Sequence, residues 1–80
     1  MRANRAYELL VHRGGRGPAL LRSAAEADHV EVVEIDSGEV VLFWDTTPQQ
    51  TGRLARALKA DLAGLDADEF LRRWRRYETR

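Results

Sequence analysis

Two runs of β-branched and aromatic residues, Val30 to Ile35 and Glu39 to Trp44, stand on either side of Asp36-Ser37-Gly38. Glycine at the break can take the positive φ of a tight turn, so the pattern predicts an antiparallel hairpin of two strands, β2 (30–35) and β3 (39–44). The second arm, Val40-Val41-Leu42-Phe43-Trp44, is apolar without interruption, whereas a strand covered on one face alternates apolar with polar. This predicts that β3 is the central strand of its sheet. A two-residue Ser37-Gly38 loop gathers Val33, Ile35, Val40, Leu42 and Trp44 on one face and Val30, Val32, Val41 and Phe43 on the other. A three-residue loop with Gly38 in a bulge gathers Val30, Val32, Val40, Leu42 and Trp44 instead, because a slip of one residue exchanges the faces of one arm. The first register sorts the charges better and is the one expected.

Upstream, Met1 to Arg5 is a polar start expected to fray. Ala6 to His12 reads as a strand, β1, with Tyr7, Leu9 and Val11 on one side and Leu10 on the other. Arg13-Gly14-Gly15-Arg16-Gly17-Pro18 breaks it, and Pro18 then suits the first turn of a helix over 18–28 carrying Leu20, Leu21, Ala24, Ala25 and Ala27. After the hairpin, Thr47 with Pro48 and Gln50 forms a capping signature. It starts a helix over 48–63 whose inward stripe is Leu54, Ala55, Leu58 and Leu62. Gly64 is placed as a left-handed C-terminal cap, and Asp66 with Glu69 opens a last helix over 67–77 that buries Phe70, Leu71, Trp74 and Tyr77.

The order βαββαα describes an α+β two-layer sandwich: a three-stranded antiparallel sheet in the order 1-3-2 with helices packed on it. In element order it resembles a ferredoxin-like fold lacking its last strand. The resemblance implies a split β-α-β sheet with β3 between β1 and β2, and it implies no function.

Eighty residues, 44% of them hydrophobic and 32% charged, make one small domain without room for a second core. Cysteine is absent, which removes disulfides, thiol nucleophiles and thiolate metal sites. No apolar run reaches the roughly 18 residues of a membrane span and nothing resembles a signal peptide, so the expected setting is cytoplasmic, without a membrane partner. Twelve of the 13 basic residues are Arg. That is the usage a GC-rich, thermophilic bacterial source would give, although Arg-for-Lys exchange is no general mark of heat adaptation. Formal charge is zero but segregated: residues 26–45 hold seven acidic groups and no Lys or Arg, while 72–80 hold five Arg against Glu78.

Candidate chemistry is sparse. The loop carrying Arg13 and Arg16 could present N–H groups to an anion, but it matches neither a dinucleotide fingerprint nor a P-loop. Arg72, Arg73, Arg75 and Arg76, interleaved with Trp74 and Tyr77, have the composition of a nucleic-acid patch, yet helical spacing turns Trp74 inward with Phe70. His12 and His29, with Glu8 or Asp28, lack the spacing of a metal site. Neither Ser23 nor Ser37 stands in a nucleophile motif. The expectation is therefore a non-enzymatic domain with no catalytic residue, metal or cofactor, acting by self-association or by docking to another protein. A homodimer is expected to cover an apolar face formed by Tyr7, Leu9, Val30, Val32, Val41 and Phe43. The alternative is an RNA- or DNA-binding module using the Arg-rich C-terminal helix.

Overall fold

A computed structural model describes residues 1–14 and 28–78. The elements are α1 (Ala3–Ala6), β1 (Tyr7–His12), β2 (Asp28–Glu34), β3 (Val40–Thr46), α2 (Pro48–Gly64), α3 (Ala67–Trp74) and a 3-10 turn (Arg75–Tyr77). The helix expected over 18–28 lies outside the described residues except for Asp28, which opens β2.

The three strands form an antiparallel sheet in the order β1-β2-β3, so the centre is β2 and not β3 as the unbroken apolar run suggested. The 1-3-2 order required the chain to cross over between β1 and β2. Instead His12 lies opposite His29 and Tyr7 opposite Glu34, so the chain leaves and re-enters at the same end of the sheet. Consistent with a central position, β2 has buried residues on both faces, Val32 fully and Val33 at 8% exposure. β3 instead shows a one-sided pattern, with Leu42, Trp44 and Thr46 buried and the residues between them partly or fully exposed.

The hairpin register also differs from the one expected. Val30 pairs with Trp44 and Val32 with Leu42, and a bulge then shifts Val33 onto Val40. The turn and the bulge together are the cause. Glu34 N–H donates to the Glu39 carbonyl at 2.8 Å and Gly38 N–H to the Glu34 carbonyl at 2.8 Å, so the loop spans Ile35 to Gly38. Gly38 takes φ 74°, which glycine alone adopts without penalty. Ser37 fixes the turn, its hydroxyl donating to Glu34 Oε1 at 2.7 Å and accepting from Glu39 N–H at 3.1 Å. The bulge leaves Val41 without a cross-strand partner and brings Val30, Val32, Leu42 and Trp44 onto one face. Ile35, expected on that face, is 49% exposed.

This face, with Tyr7 and Leu9 from β1, is covered by Ala3, Leu58, Leu62 and Phe70 from the three helices. Leu58 and Leu62 are the inward stripe of α2, and Leu54 packs beside them. Phe70 stacks on Tyr7 with ring centroids 6.0 Å apart. Tyr77, expected to be buried, leaves the helix in the 3-10 turn and is 62% exposed. Gly64 is not a left-handed cap, since Gly38 is the one positive-φ glycine among the described residues. The N-terminus is held rather than frayed. Ala3 N–H donates to the Leu65 carbonyl and Ala67 N–H to the Met1 carbonyl, both at 2.9 Å. The Met1 ammonium donates to Asp66 Oδ1 at 2.8 Å, a bond that holds the Asp66 carboxyl below its usual range.

Candidate functional site

Asp28, at the start of β2, is 3% exposed, and its partners are Thr51 in the first turns of α2 and Gly14 beyond β1. Thr51 Oγ1 lies 2.6 Å from Asp28 Oδ2, 2.8 Å from Thr46 Oγ1 and 3.0 Å from the Thr47 carbonyl. With a single proton to give, Thr51 donates along its shortest contact and accepts from Thr46. Gly14 N–H donates to Asp28 Oδ1 at 3.0 Å and the Arg13 guanidinium stands 3.5 Å from Oδ2. The Thr51 hydroxyl chiefly, then the Gly14 N–H and Arg13, hold the Asp28 carboxyl below its ordinary pKa against the opposing pull of desolvation. The cluster ties four parts of the chain together and keeps its acid ionised. It also engages two groups of the candidate anion loop, since the chain's own carboxylate accepts the Gly14 N–H and faces Arg13; Arg16 lies outside the described residues. The sequence carried a signal for this cluster: Thr51 extends the stripe of Leu54, Leu58 and Leu62 by one turn, and a polar residue on a buried stripe demands a partner.

The two histidines do meet, as cross-strand neighbours, but Glu8 and Asp28 are not their partners. His12 Nε2 is 2.7 Å from Glu31 Oε1, and His29 Nδ1 is 3.1 Å from Asp45 Oδ1. Among the described residues no group of three or more such side chains could hold a metal ion.

The Arg-rich segment is only partly available for nucleic acid. Arg72, Arg73, Arg75 and Arg76 are exposed, but Arg73 Nε is 3.5 Å from Asp61 Oδ2. Trp74 turns inward as its spacing predicts, donating to Asp61 Oδ2 at 2.9 Å and meeting Trp44 edge-on at 5.9 Å. A shallow groove of about 420 Å³ runs past Trp44, Leu54, Trp74 and Tyr77.

The six residues expected to form an exposed dimer face do not share one. Tyr7, Val30 and Val32 are at 8%, 0% and 0% exposure in the chain's own core, with Leu9 and Val41 packed against it. Phe43 lies on the opposite face, its ring 5.5 Å from His29.

More distinctive are the sheet's two edges, which are treated differently. On β3 the outward Phe43 N–H donates to Glu78 Oε2 at 3.0 Å, and Trp44 Nε1 donates to the Tyr77 carbonyl at 2.6 Å. The C-terminal segment therefore lies along that edge. On β1, Ile35 N–H donates to the Ala6 carbonyl at 2.9 Å, which fixes Ala6 as a residue bonded towards β2. Strand alternation then directs the backbone of Glu8, Leu10 and His12 to β2 and that of Tyr7, Leu9 and Val11 outwards. Tyr7 N–H turns back to the Ala3 carbonyl. The edge thus offers the N–H groups of Leu9 and Val11 and the carbonyls of Tyr7, Leu9 and Val11, and no other described element bonds to them.

No family model, curated protein or solved structure matches the chain. No helix among the described residues is long and apolar enough to cross a membrane.

Proposed function

We propose that the chain is a small non-enzymatic interaction domain that binds another polypeptide by adding it as a strand to β1. The observation that carries this reading is the contrast between the edges: Glu78 occupies the β3 edge, while on the other side no other described element bonds to the outward groups of β1, a six-residue strand without proline. Native sheets usually blunt an exposed edge with proline, bulges, charge or a covering segment. The outward positions Leu9 and Val11 have none of these, and an open strand of this kind is the template used in β-strand addition. The ionisable groups that the fold brings together are taken up by one another, which supports binding over chemistry on a substrate. A synthetic peptide of residues 5–13 tests the reading. Added at a dilution where the chain is monomeric, it should slow amide exchange at Leu9 and Val11 and leave Phe43 unchanged; equal rates with and without peptide at that dilution would refute the reading.

The nucleic-acid alternative keeps one observation in its favour, the exposed Tyr77 ring beside exposed Arg75 and Arg76. Retardation of RNA or DNA at low salt, lost in an Arg75→Glu, Arg76→Glu chain, would support it.

A further inference from the structure

We infer that the strand received by the β1 edge is the β1 of a second copy, paired antiparallel about a two-fold axis through Leu10. This inference rests on the edge-binding reading above and adds the partner and the register.

Three observations select that register. Residues opposite one another in an antiparallel pair share a face, so a two-fold pairing of β1 with itself can be centred only on a residue of the strand. Centring on Leu9 also satisfies both open N–H groups, Leu9 with its own copy and Val11 with the Tyr7 carbonyl, but Tyr7 N–H is already given to the Ala3 carbonyl, so each Tyr7–Val11 pair keeps one bond of two, and Glu8 is set against the apolar Leu10. A centre at Val11 moves most of the strand past its partner. With Leu10 at the centre, Leu9 of each copy exchanges both bonds with Val11 of the other, so every open N–H of the edge is satisfied by four hydrogen bonds related in pairs. The side chains agree with the backbone. Leu10, half-buried on the face away from the helices, meets its own copy, and Glu8 comes opposite His12 of the second chain, giving an acid–base pair at each end. His12 already accommodates one carboxylate, Glu31 at 2.7 Å through Nε2, and its Nδ1 is the atom left to meet Glu8. The product is a continuous six-stranded sheet in which the two remaining edges are both β3, each carrying its own Glu78 cap.

Because β1 bonds to β2 through Glu8, Leu10 and His12, its two hydrogen-bonding sides can be tested separately. Leu9→Pro removes an outward N–H and no bond to β2, a position where edge strands tolerate proline, at some loss of packing beneath the helices, and should weaken self-association by about tenfold or more, since it deletes two of the four bonds. The native chain has no cysteine, so Leu10→Cys reports the register directly. In the non-hydrogen-bonded pair at the axis, Cα atoms lie about 4.5 Å apart, within disulfide range. Glu8→Cys is the control: the two sulfurs would be four residues out of line, roughly 14 Å at about 3.4 Å per residue.

The experiment is sedimentation equilibrium of the full chain and the Leu9→Pro variant, with mild oxidation of the two cysteine variants and circular dichroism to follow folding. Expected are a dimer of the 9.1 kDa chain, a folded Leu9→Pro monomer, and cross-linking of Leu10→Cys alone. A dimer that Leu9→Pro leaves intact, or in which Leu10→Cys stays reduced, overturns the inference. If Leu9→Pro does not fold, the cysteine pair decides. A parent chain monomeric at every concentration also overturns it. In that case binding of the 5–13 peptide preserves the edge-binding reading with a different partner, and failure of the peptide removes that reading as well.

Discussion

Replacing Thr51 with Val probes the buried polar cluster at nearly constant shape. Thr51 is fully buried, and its hydroxyl contacts Asp28 Oδ2 at 2.6 Å, Thr46 Oγ1 at 2.8 Å and the Thr47 carbonyl at 3.0 Å. Valine fills the same volume without an O–H. The Thr47 carbonyl keeps its helical donor, the Thr51 N–H at 3.1 Å, so the loss falls on the Thr46–Thr51–Asp28 chain. Leaving buried hydrogen-bonding groups short of a partner costs about 1–3 kcal/mol. For a domain of this size each 1 kcal/mol lowers Tm by roughly 4–8 °C. Thermal melts at neutral pH followed by circular dichroism should show Thr51→Val destabilised within that range.

The pH dependence gives the same substitution a second readout. Asp28 titrates below its ordinary 3.8 in the folded chain, chiefly because of the Thr51 hydroxyl. A carboxyl depressed by folding adds stability that is present above its unfolded pKa and is lost as the pH falls through the lower, folded value. The parent should therefore lose stability below about pH 4 more steeply than Thr51→Val, and the gap between them should narrow in acid. Equal melting at neutral pH, or a gap that stays constant down to acid, would refute the assignment of the hydroxyl as donor to an ionised Asp28.

Other substitutions test the remaining parts of the fold. Leu58→Ala, at a fully buried position under the sheet, should cost about 2–5 kcal/mol, read as a lower denaturant midpoint; a midpoint like the parent's would undo the packing of α2 on the sheet. Gly38→Ala meets no atom within 4 Å, so its cost is the left-handed backbone alone, about 1–2 kcal/mol. Glu78→Ala should speed amide exchange at Phe43, whose N–H the Glu78 carboxylate accepts, while leaving Leu42 and Trp44, bonded into β2, unchanged.

Much of the fold was legible because its signals are local. The helix starts at Pro48 and Ala67, the stripe of Leu58 and Leu62, and the inward turn of Trp74 follow from capping residues and spacing within a few positions. The hairpin was legible too, but not its register or its place in the sheet. Four turn residues in place of two slide the arms by two positions and keep their faces, and the bulge at Val41 then exchanges them. Neither event has a signal apart from the geometry of the turn. The apolar run in β3 misled for a related reason, since part of it serves the bulge and the far face rather than a central position. The N-terminus was misjudged because its anchor, Asp66, lies 65 residues away, a separation that no window along the chain can register.

The segregated charges suggested an acidic hairpin of one chain meeting the Arg-rich helix of another. Folding changes what those acids are. Asp28 turns inward to Thr51, Glu31 pairs with His12, Glu34 accepts from Ser37 and Asp45 pairs with His29. Four of the seven acidic groups in 26–45 thus act within the chain as hydrogen-bond acceptors, which holds their side chains on their own chain and away from the Arg groups of a partner. On the basic side, Arg73 is drawn to Asp61, and Glu78 lies on β3 as an edge cap. Long-range attraction between the two segments is therefore a weak basis for assembly, and salt should perturb self-association little. The open N–H and carbonyl groups of Leu9 and Val11 remain, and their pairing is a matter of strand geometry. Dimerisation that collapses on raising salt would return the argument to charge.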